Sequence, residues 1–170
     1  MIVTTNSTPI EIRNTSTADV PLIQQLAEAT WWPTYSPILK DEQIRYMLDL
    51  IYSHEALTRV MADGSQQFIL LFEGNVAQGF AAYGPYENGA VKLHKLYVLP
   101  ENHGKGFGRI LIDEVKRRVK ANGIQTLVLN VNRYNNARTF YEKLGFTVTQ
   151  EVDVAIGPYW MNDYVMALPL

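Results

Sequence analysis

The segment that most constrains the fold of this 170-residue chain is a glycine-rich turn between a strand pattern and a helix pattern. The strand pattern, Val91–Val98, alternates apolar and polar residues, whereas apolar residues recur every fourth position over 107–119. Three glycines, Gly104, Gly106 and Gly108, separate the two patterns. Because glycine lacks a Cβ, this backbone can turn tightly and approach a ligand closely. The spacing therefore predicts a strand, a ligand-accessible turn and a helix in direct succession.

The turn also predicts an anion site. The first amides of a helix have no partner within the helix, and the positive end of the helix dipole lies behind them, so phosphate or pyrophosphate binds there. The side chains of Lys105 and Arg109 add positive charge. An ATPase phosphate loop needs Ser or Thr after Gly-Lys at the helix start, but Phe107 follows Gly106, and a dinucleotide fingerprint needs glycine where Arg109 stands. A turn without any ligand stays an alternative.

The remaining patterns predict one mixed α/β domain over residues 1–170. Their order is a strand, helices, three strands, a helix, a strand, a helix and two strands, which is not a regular βαβ alternation. The first helix is predicted to start at Thr17. The two prolines of 31–37 predict a loop or an interrupted helix there.

Composition narrows the class of protein. The chain has no cysteine, which excludes disulfides, thiolate metal sites and a cysteine nucleophile, and its three histidines are widely spaced, so we expect no metal. Its net charge of −2 does not favour nucleic acid as a partner. Met1 to Asn6 lacks a signal-peptide pattern, and no apolar run is long enough to span a bilayer. We therefore expect a cytoplasmic protein that does not bind membranes.

Two blocks of the sequence resemble the GNAT N-acetyltransferase family. Leu96-Tyr97-Val98-Leu99-Pro100, followed by the glycine turn, is similar to the acetyl-CoA motif of that family, with His103 standing where the family has Arg or Gln. Asn135 to Phe146, with Tyr141 and a terminal Leu-Gly-Phe, resembles the family's later motif, although Tyr134 holds the usual place of its Asn. The helical segment before residue 68 faintly resembles the branch that acetylates polyamines.

The resemblance implies a fold and a co-substrate. The fold is a central, mostly antiparallel sheet of six to seven strands with helices on both faces, and the co-substrate is acetyl-CoA. Pantetheine would lie between two splayed strands, and an N–H near Val98 would stabilise the oxyanion. The residues that the resemblance assigns to the cofactor are Leu96, Tyr97, Val98, His103, Gly104, Lys105, Gly106, Phe107, Gly108, Arg109 and Asn135.

The implied chemistry is direct attack of a primary amine on the thioester in a ternary complex. Tyr141 is the candidate acid for the thiolate leaving group, and packing on a short helix is the alternative role for this residue. His94 is the candidate base, because an imidazole pKa of ~6.5 suits proton transfer near neutrality. A histidine on a half-buried strand can also hydrogen-bond a neighbour, and Glu87 and Glu101 are weaker candidates for the base.

Three aromatic residues in the proline-containing segment 31–37 are the candidates for binding the acceptor, because aromatic rings can enclose a cation. These residues are Trp31, Trp32 and Tyr35. The acceptor is then a small-molecule or peptide amine, and a homodimer is possible because dimers are common in the family. A GNAT-fold module that binds acyl-CoA as a sensor, without catalysis, is the alternative to an enzyme.

Overall fold

The computed structural model describes residues 8–170, so Met1 to Asn6 lie outside the described part of the chain. The strands are β1 Ile10–Asn14, β2 Gln67–Glu73, β3 Val76–Pro85, β4 Val91–Val98, β5 Thr126–Asn132, β6 Thr147–Ile156 and β7 Tyr159–Pro169. The α-helices are α1 Val20–Tyr35, α2 Asp41–Tyr52, α3 His54–Ala62, α4 Phe107–Ala121 and α5 Ala137–Lys143. The predicted order of elements is confirmed.

The seven strands form one sheet in the order β1-β2-β3-β4-β5-β7-β6. The pair β4/β5 is parallel, and the other neighbouring pairs are antiparallel. The predicted mixed, mostly antiparallel sheet is therefore confirmed. β4 and β5 can pair in parallel because the long helix α4 joins them and crosses over one face of the sheet. This parallel pair lies in the middle of the sheet.

Helices cover both faces of the sheet, as predicted. The apolar stripe of α4, which includes Leu111, Ile112 and Val115, packs with α5 residues against one face. The helices α1, α2 and α3 pack against the other face around Phe80 and Leu70. The sheet thus has a hydrophobic core on each side, and a ligand that passes between its strands reaches both sides.

The first helix departs from the prediction at both ends. Ser16 accepts a hydrogen bond from the Ala18 amide and caps a short 3-10 turn, and α1 begins only at Val20. The predicted interruption at the prolines is wrong, because α1 continues to Tyr35 with Pro33 inside it. Proline has no backbone N–H, so Pro33 cannot donate the usual helical hydrogen bond. Because Pro33 is exposed and α1 ends two residues later, this absence costs little stability.

A close backbone contact in β3 predicts a large loss of stability on a small substitution. A Cβ built on Gly84 would lie 1.8 Å from the Ser65 carbonyl oxygen, so the two segments must separate to admit a methyl group. We expect Gly84→Ala to lower the free energy of unfolding by about 3 kcal/mol, as other overpacked sites do. Urea unfolding measures this. Gly64→Ala is the comparison, because a Cβ there meets nothing within 4 Å and only the φ of +76° strains an alanine, so we expect a smaller loss of about 1 kcal/mol. Equal losses in both variants would contradict the prediction.

Candidate active site

The strands β4 and β5 separate along their length. They are paired only from Val91 with Leu127 to Leu93 with Leu129, and the register stops there although both strands continue. β4 instead stays paired with β3 as far as Val98, and β5 stays paired with β7 as far as Asn132. Backbone groups between Leu96 and Val98 on the β5 side therefore have no strand partner, and a gap opens in the middle of the sheet.

A cavity of about 760 Å³ occupies this gap, which is within the usual size range of ligand sites. One wall is the end of β4 with the glycine turn, another is the start of α5, and the third is the end of α1 with the residues after it. The sequence-predicted residues that line it are Tyr35, His94, Leu96, Tyr97, Val98, His103, Gly104, Gly106, Phe107, Gly108, Arg109, Asn135 and Tyr141.

The glycine turn presents bare amides to this cavity. Gly104 and Gly106 have φ values of +90° and +81°, a conformation that side chains disfavour, and a Cβ on either residue would meet nothing within 4 Å. Gly106 caps α4 without a side-chain hydrogen bond, and the first helical bond runs from the Ile110 amide to the Gly106 carbonyl. The amides of Phe107, Gly108 and Arg109 therefore face outward as the predicted anion site requires.

Side chains hold this turn against the end of β4. The His103 Nε2 lies 3.1 Å from the Val98 carbonyl oxygen, so the residue that replaces the family's Arg or Gln bridges the turn and the strand. The Lys105 Nζ donates to Asn102 Oδ1 at 3.0 Å, and Asn102 in turn donates to Gln78 of β3. Lys105 does not line the cavity itself. Asn102 and Gln78 make contacts that hold the turn and that the sequence motifs did not indicate.

Tyr141 lies on α5 with its ring held between two phenyl rings. The ring centroids of Phe140 and Phe146 are 5.3 and 5.7 Å from that of Tyr141, and the residue is 8% exposed. Burial raises the pKa of the Tyr141 phenol above its ordinary value of 10.0, so it is protonated at neutral pH. The residue therefore packs in the core and also lines the cavity as a protonated donor, and its two predicted roles are compatible.

The start of α5 is held by Asn135 rather than by the residue after it. The Asn135 Oδ1 accepts a hydrogen bond from the Ala137 amide at 2.9 Å, and Asn136 makes no side-chain cap. Because the carboxamide oxygen is occupied by the cap, the NH₂ group of Asn135 is the part left to meet a ligand in the cavity.

His94 lines the cavity from β4, half-buried, at a bulge in the pairing with β3. Burial lowers its pKa to about 4, and the charges of Lys95 and Lys92 add to the effect. His94 is therefore neutral at physiological pH and is a much weaker base than a free imidazole. This low pKa suits a hydrogen-bond acceptor for an incoming amine better than a strong general base.

Of the three aromatic residues predicted to bind the acceptor, the structure brings one to the cavity. Tyr35 lines it, and its hydroxyl lies 2.9 Å from that of Tyr97. Trp31 is 3% exposed and donates to the Tyr52 hydroxyl inside the core, while Trp32 bonds to Glu28 on the outer face of α1. Because α1 is continuous, Trp31 lies on the same face as Tyr35, with ring centroids 4.6 Å apart, but one turn earlier and outside the cavity lining, and Trp32 lies on the outer face. This corrects the prediction for both tryptophans, which was based on a loop.

Further lining residues come from segments that carry no motif. Thr34, Pro37 and Ile38 close the cavity from the end of α1, and Tyr134 stands at its rim after β5. Tyr134 is 70% exposed, an unusual environment for a large aromatic ring. Its departure from the Asn of the family motif was the signal that could have singled it out. Over residues 8–170, no group of three or more His, Asp or Glu is arranged to hold a metal, and no helix is long and apolar enough to cross a membrane.

The splayed parallel pair, the glycine turn at the start of α4 and the tyrosine on α5 together define an acetyltransferase of the GNAT class. The model of the Acetyltransferase (GNAT) domain matches residues 35–162, and the chain belongs to this family.

Relatives and a solved structure are similar to this chain over different shares of its length. A spermidine N(1)-acetyltransferase of Thermoplasma acidophilum is 33% identical over 144 residues, which are 82% of this chain and 89% of the relative. The crystal structure of PaiA N-acetyltransferase from the same organism, in complex with coenzyme A, superposes with a TM-score of 0.82 at 28% identity and covers 95% of this chain and 99% of that one. A bS18-alanine N-acetyltransferase of Haemophilus influenzae is 39% identical over 84 residues, 49% of this chain and 55% of the relative.

Proposed function

We propose that the protein transfers an acetyl group from acetyl-CoA to a primary amine by direct attack in a ternary complex. The observation that carries this proposal is the convergence on one cavity of the end of β4, the free amides at the start of α4 and the Tyr141 side chain. The amides of Phe107 to Arg109 bind the diphosphate, and pantetheine extends the sheet along Leu96 to Val98 in the gap beside β5. The thioester then lies near Val98 and Tyr141.

In this mechanism the nitrogen lone pair attacks the thioester carbonyl carbon, the carbon–sulfur bond breaks, and the nitrogen releases its extra proton to solvent as the amide forms. The Val98 region supplies backbone N–H groups to the developing oxyanion. The leaving thiolate takes the Tyr141 proton, and the phenol recovers a proton from solvent. Burial keeps the Tyr141 phenol protonated over the pH range in which the amine reacts, and the same lack of solvent raises the proton affinity of the leaving thiolate.

The acceptor nitrogen must lose a proton before or during attack, since a model alkyl ammonium has a pKa of ~10.4. His94, with its pKa lowered to about 4, accepts a hydrogen bond from the free amine and leaves the proton to solvent. Activity should therefore rise with pH until the bound amine is neutral.

We propose a polyamine-type amine as the acceptor, because the relative with the broad match is named a spermidine N(1)-acetyltransferase. A peptide α-amine is the second candidate, supported by the shorter match to the bS18-alanine enzyme. The cytoplasmic location and the homodimer stay predictions.

Turnover of acetyl-CoA with an amine panel tests the proposal. The panel contains spermidine, putrescine, a simple alkylamine and a peptide with N-terminal alanine, and the readouts are release of free thiol and the mass of the product. We expect acetylation of at least one amine with a mass gain of one acetyl group per modified nitrogen. A coenzyme-dependent thermal shift without turnover on any amine would favour the sensor alternative, and no shift with coenzyme A would refute the cofactor assignment.

A further inference from the structure

Tyr134 is a large aromatic side chain at the opening of the cavity that the mechanism above does not use. It lines the cavity and is 70% exposed, so most of its ring is free to meet a ligand. Arg13, Arg45, Lys92, Lys95, Lys105, Arg133 and Arg138 lie over other aromatic rings of the described chain, whereas none of these cations lies over Tyr134.

The backbone beneath this ring is fixed. The Tyr134 amide donates to Asn132 Oδ1 at 2.9 Å, and the Asn135 amide donates to the Asn132 carbonyl, also at 2.9 Å. The Arg133 amide before it donates to the Asn162 carbonyl of β7. Asn132 is 4% exposed, so the turn that carries Tyr134 is tied to the buried end of β5. A ring presented on such a turn is preorganised and loses little conformational entropy on binding.

The charges around the cavity favour a π face over a carboxylate as the contact for a cation. Within the described residues the cavity lining includes no Asp or Glu. Its charged residues are Arg109 and Lys95, and the Lys95 ammonium is buried in the core, where it donates to Gln66. Arg109 lies beside the free amides of α4, where coenzyme phosphates would neutralise it. A second ammonium group on the acceptor gains no ion pair from this lining. The face of an aromatic ring attracts an alkyl ammonium by about 0.5 to 1 kcal/mol at an exposed site.

We propose that the Tyr134 ring binds the distal ammonium of an acceptor with two or more amino groups and thereby selects such acceptors over monoamines. The proposal rests on the amine acetyltransferase function given above. Tyr134 stacks on the charged end of the acceptor while its other amine reaches the thioester near Val98 and Tyr141. Thr34, Pro37 and Ile38, on the wall formed by the end of α1, contact the methylene groups between the two nitrogens.

The test compares 1,4-diaminobutane with butylamine, which have the same carbon chain but one or two amines. For Tyr134→Leu, which keeps an apolar side chain without a π face, we expect kcat/KM to fall about fivefold for the diamine and to stay unchanged for the monoamine. Tyr134→Phe keeps the ring face and should retain the diamine preference. Trp160→Leu is the matched control, because Trp160 is 59% exposed on β7 and does not line the cavity.

The outcomes separate this proposal from the function on which it rests. If the unmodified enzyme acetylates neither amine nor any other member of the panel, the acetyltransferase function fails. If Tyr134→Leu reduces activity on butylamine and 1,4-diaminobutane equally, or leaves both unchanged, the selective role of Tyr134 is refuted while the function stands. If activity on both amines falls equally and the dissociation constant for coenzyme A rises, Tyr134 contacts the coenzyme instead.

Discussion

Replacement of Tyr141 by phenylalanine is expected to reduce the turnover number by about 100-fold or more, because positioned general acids contribute factors of this size. The substitution removes one hydroxyl and keeps the ring, so the contacts with Phe140 and Phe146 survive. The glycine turn is untouched, and we expect the dissociation constant for coenzyme A to be the same as in the unmodified enzyme. Steady-state kinetics and titration calorimetry measure the two quantities.

The control for this experiment is Tyr159→Phe, which makes the same chemical change outside the cavity, where the ring packs on Tyr46 at 5.3 Å. It should leave turnover and coenzyme binding unchanged. Undiminished turnover in Tyr141→Phe would show that water or another group protonates the thiolate. A parallel loss of coenzyme affinity would show that the hydroxyl holds the cofactor rather than supplying a proton.

A second large effect is expected from Lys95, whose charge lies inside the protein. The residue is 7% exposed, and its Nζ donates to Gln66 Oε1 between the rings of Tyr52 and Phe68. The ion pairs of residues 8–170 do not include it. Burial lowers the pKa of Lys95 to about 7, and the charge of Lys92 contributes. The folded protein therefore carries an uncompensated cost for keeping this ammonium.

The pH dependence of that cost follows from proton linkage. In the unfolded chain lysine titrates near pH ~10.4, so between pH 7 and that value the unfolded state binds more protons and stability rises with pH. The cost is complete below pH 7, where it is on the order of 4 kcal/mol, and it disappears near pH 10. Lys95→Met should thus raise the free energy of unfolding by about 2 kcal/mol at pH 6, after loss of the Gln66 contact is included.

Urea unfolding of both proteins at pH 6, 8 and 9.5 measures this effect. The difference between the Met variant and the unmodified protein should shrink as pH rises, and taking the difference cancels the titration of the tyrosines. Lys120→Met on α4, an exposed position, is the control and should show no pH-dependent difference. A pH-independent difference for Lys95→Met would mean that the buried amine is uncharged at pH 6 or reaches water.

Local sequence patterns were sufficient for the parts of the site built from consecutive residues. One wall of the cavity was predicted from the alternation in Val91–Val98, the glycines after it and the helix pattern beyond them. This wall carries the backbone amides that we propose bind the coenzyme. Backbone amides do not depend on which side chains surround them, so replacement of the family's Arg or Gln by His103 leaves this wall intact. The short helix with Tyr141 was likewise predicted from its asparagines and its final glycine.

The acceptor side required the tertiary structure. The two prolines of 31–37 predicted a loop or an interrupted helix, but burial of Trp31 and Tyr35 in the core stabilises a continuous α1. Trp31 then lies in the core one turn before Tyr35, and Trp32 lies on the outer face of the helix. The lowered pKa of His94 could likewise not be predicted from the sequence, since it depends on burial and on the neighbouring lysines in the folded sheet.

By itself, the sequence determined the order of the elements, the glycine turn with its free amides and the helix that carries Tyr141, because these features arise from residues close together in the chain. Only the tertiary structure decided where β4 and β5 part, which aromatic rings face the gap, and how strongly His94 and Lys95 hold their protons. The physical reason is that strand separation, burial and electrostatic environment depend on contacts between residues that are distant in sequence.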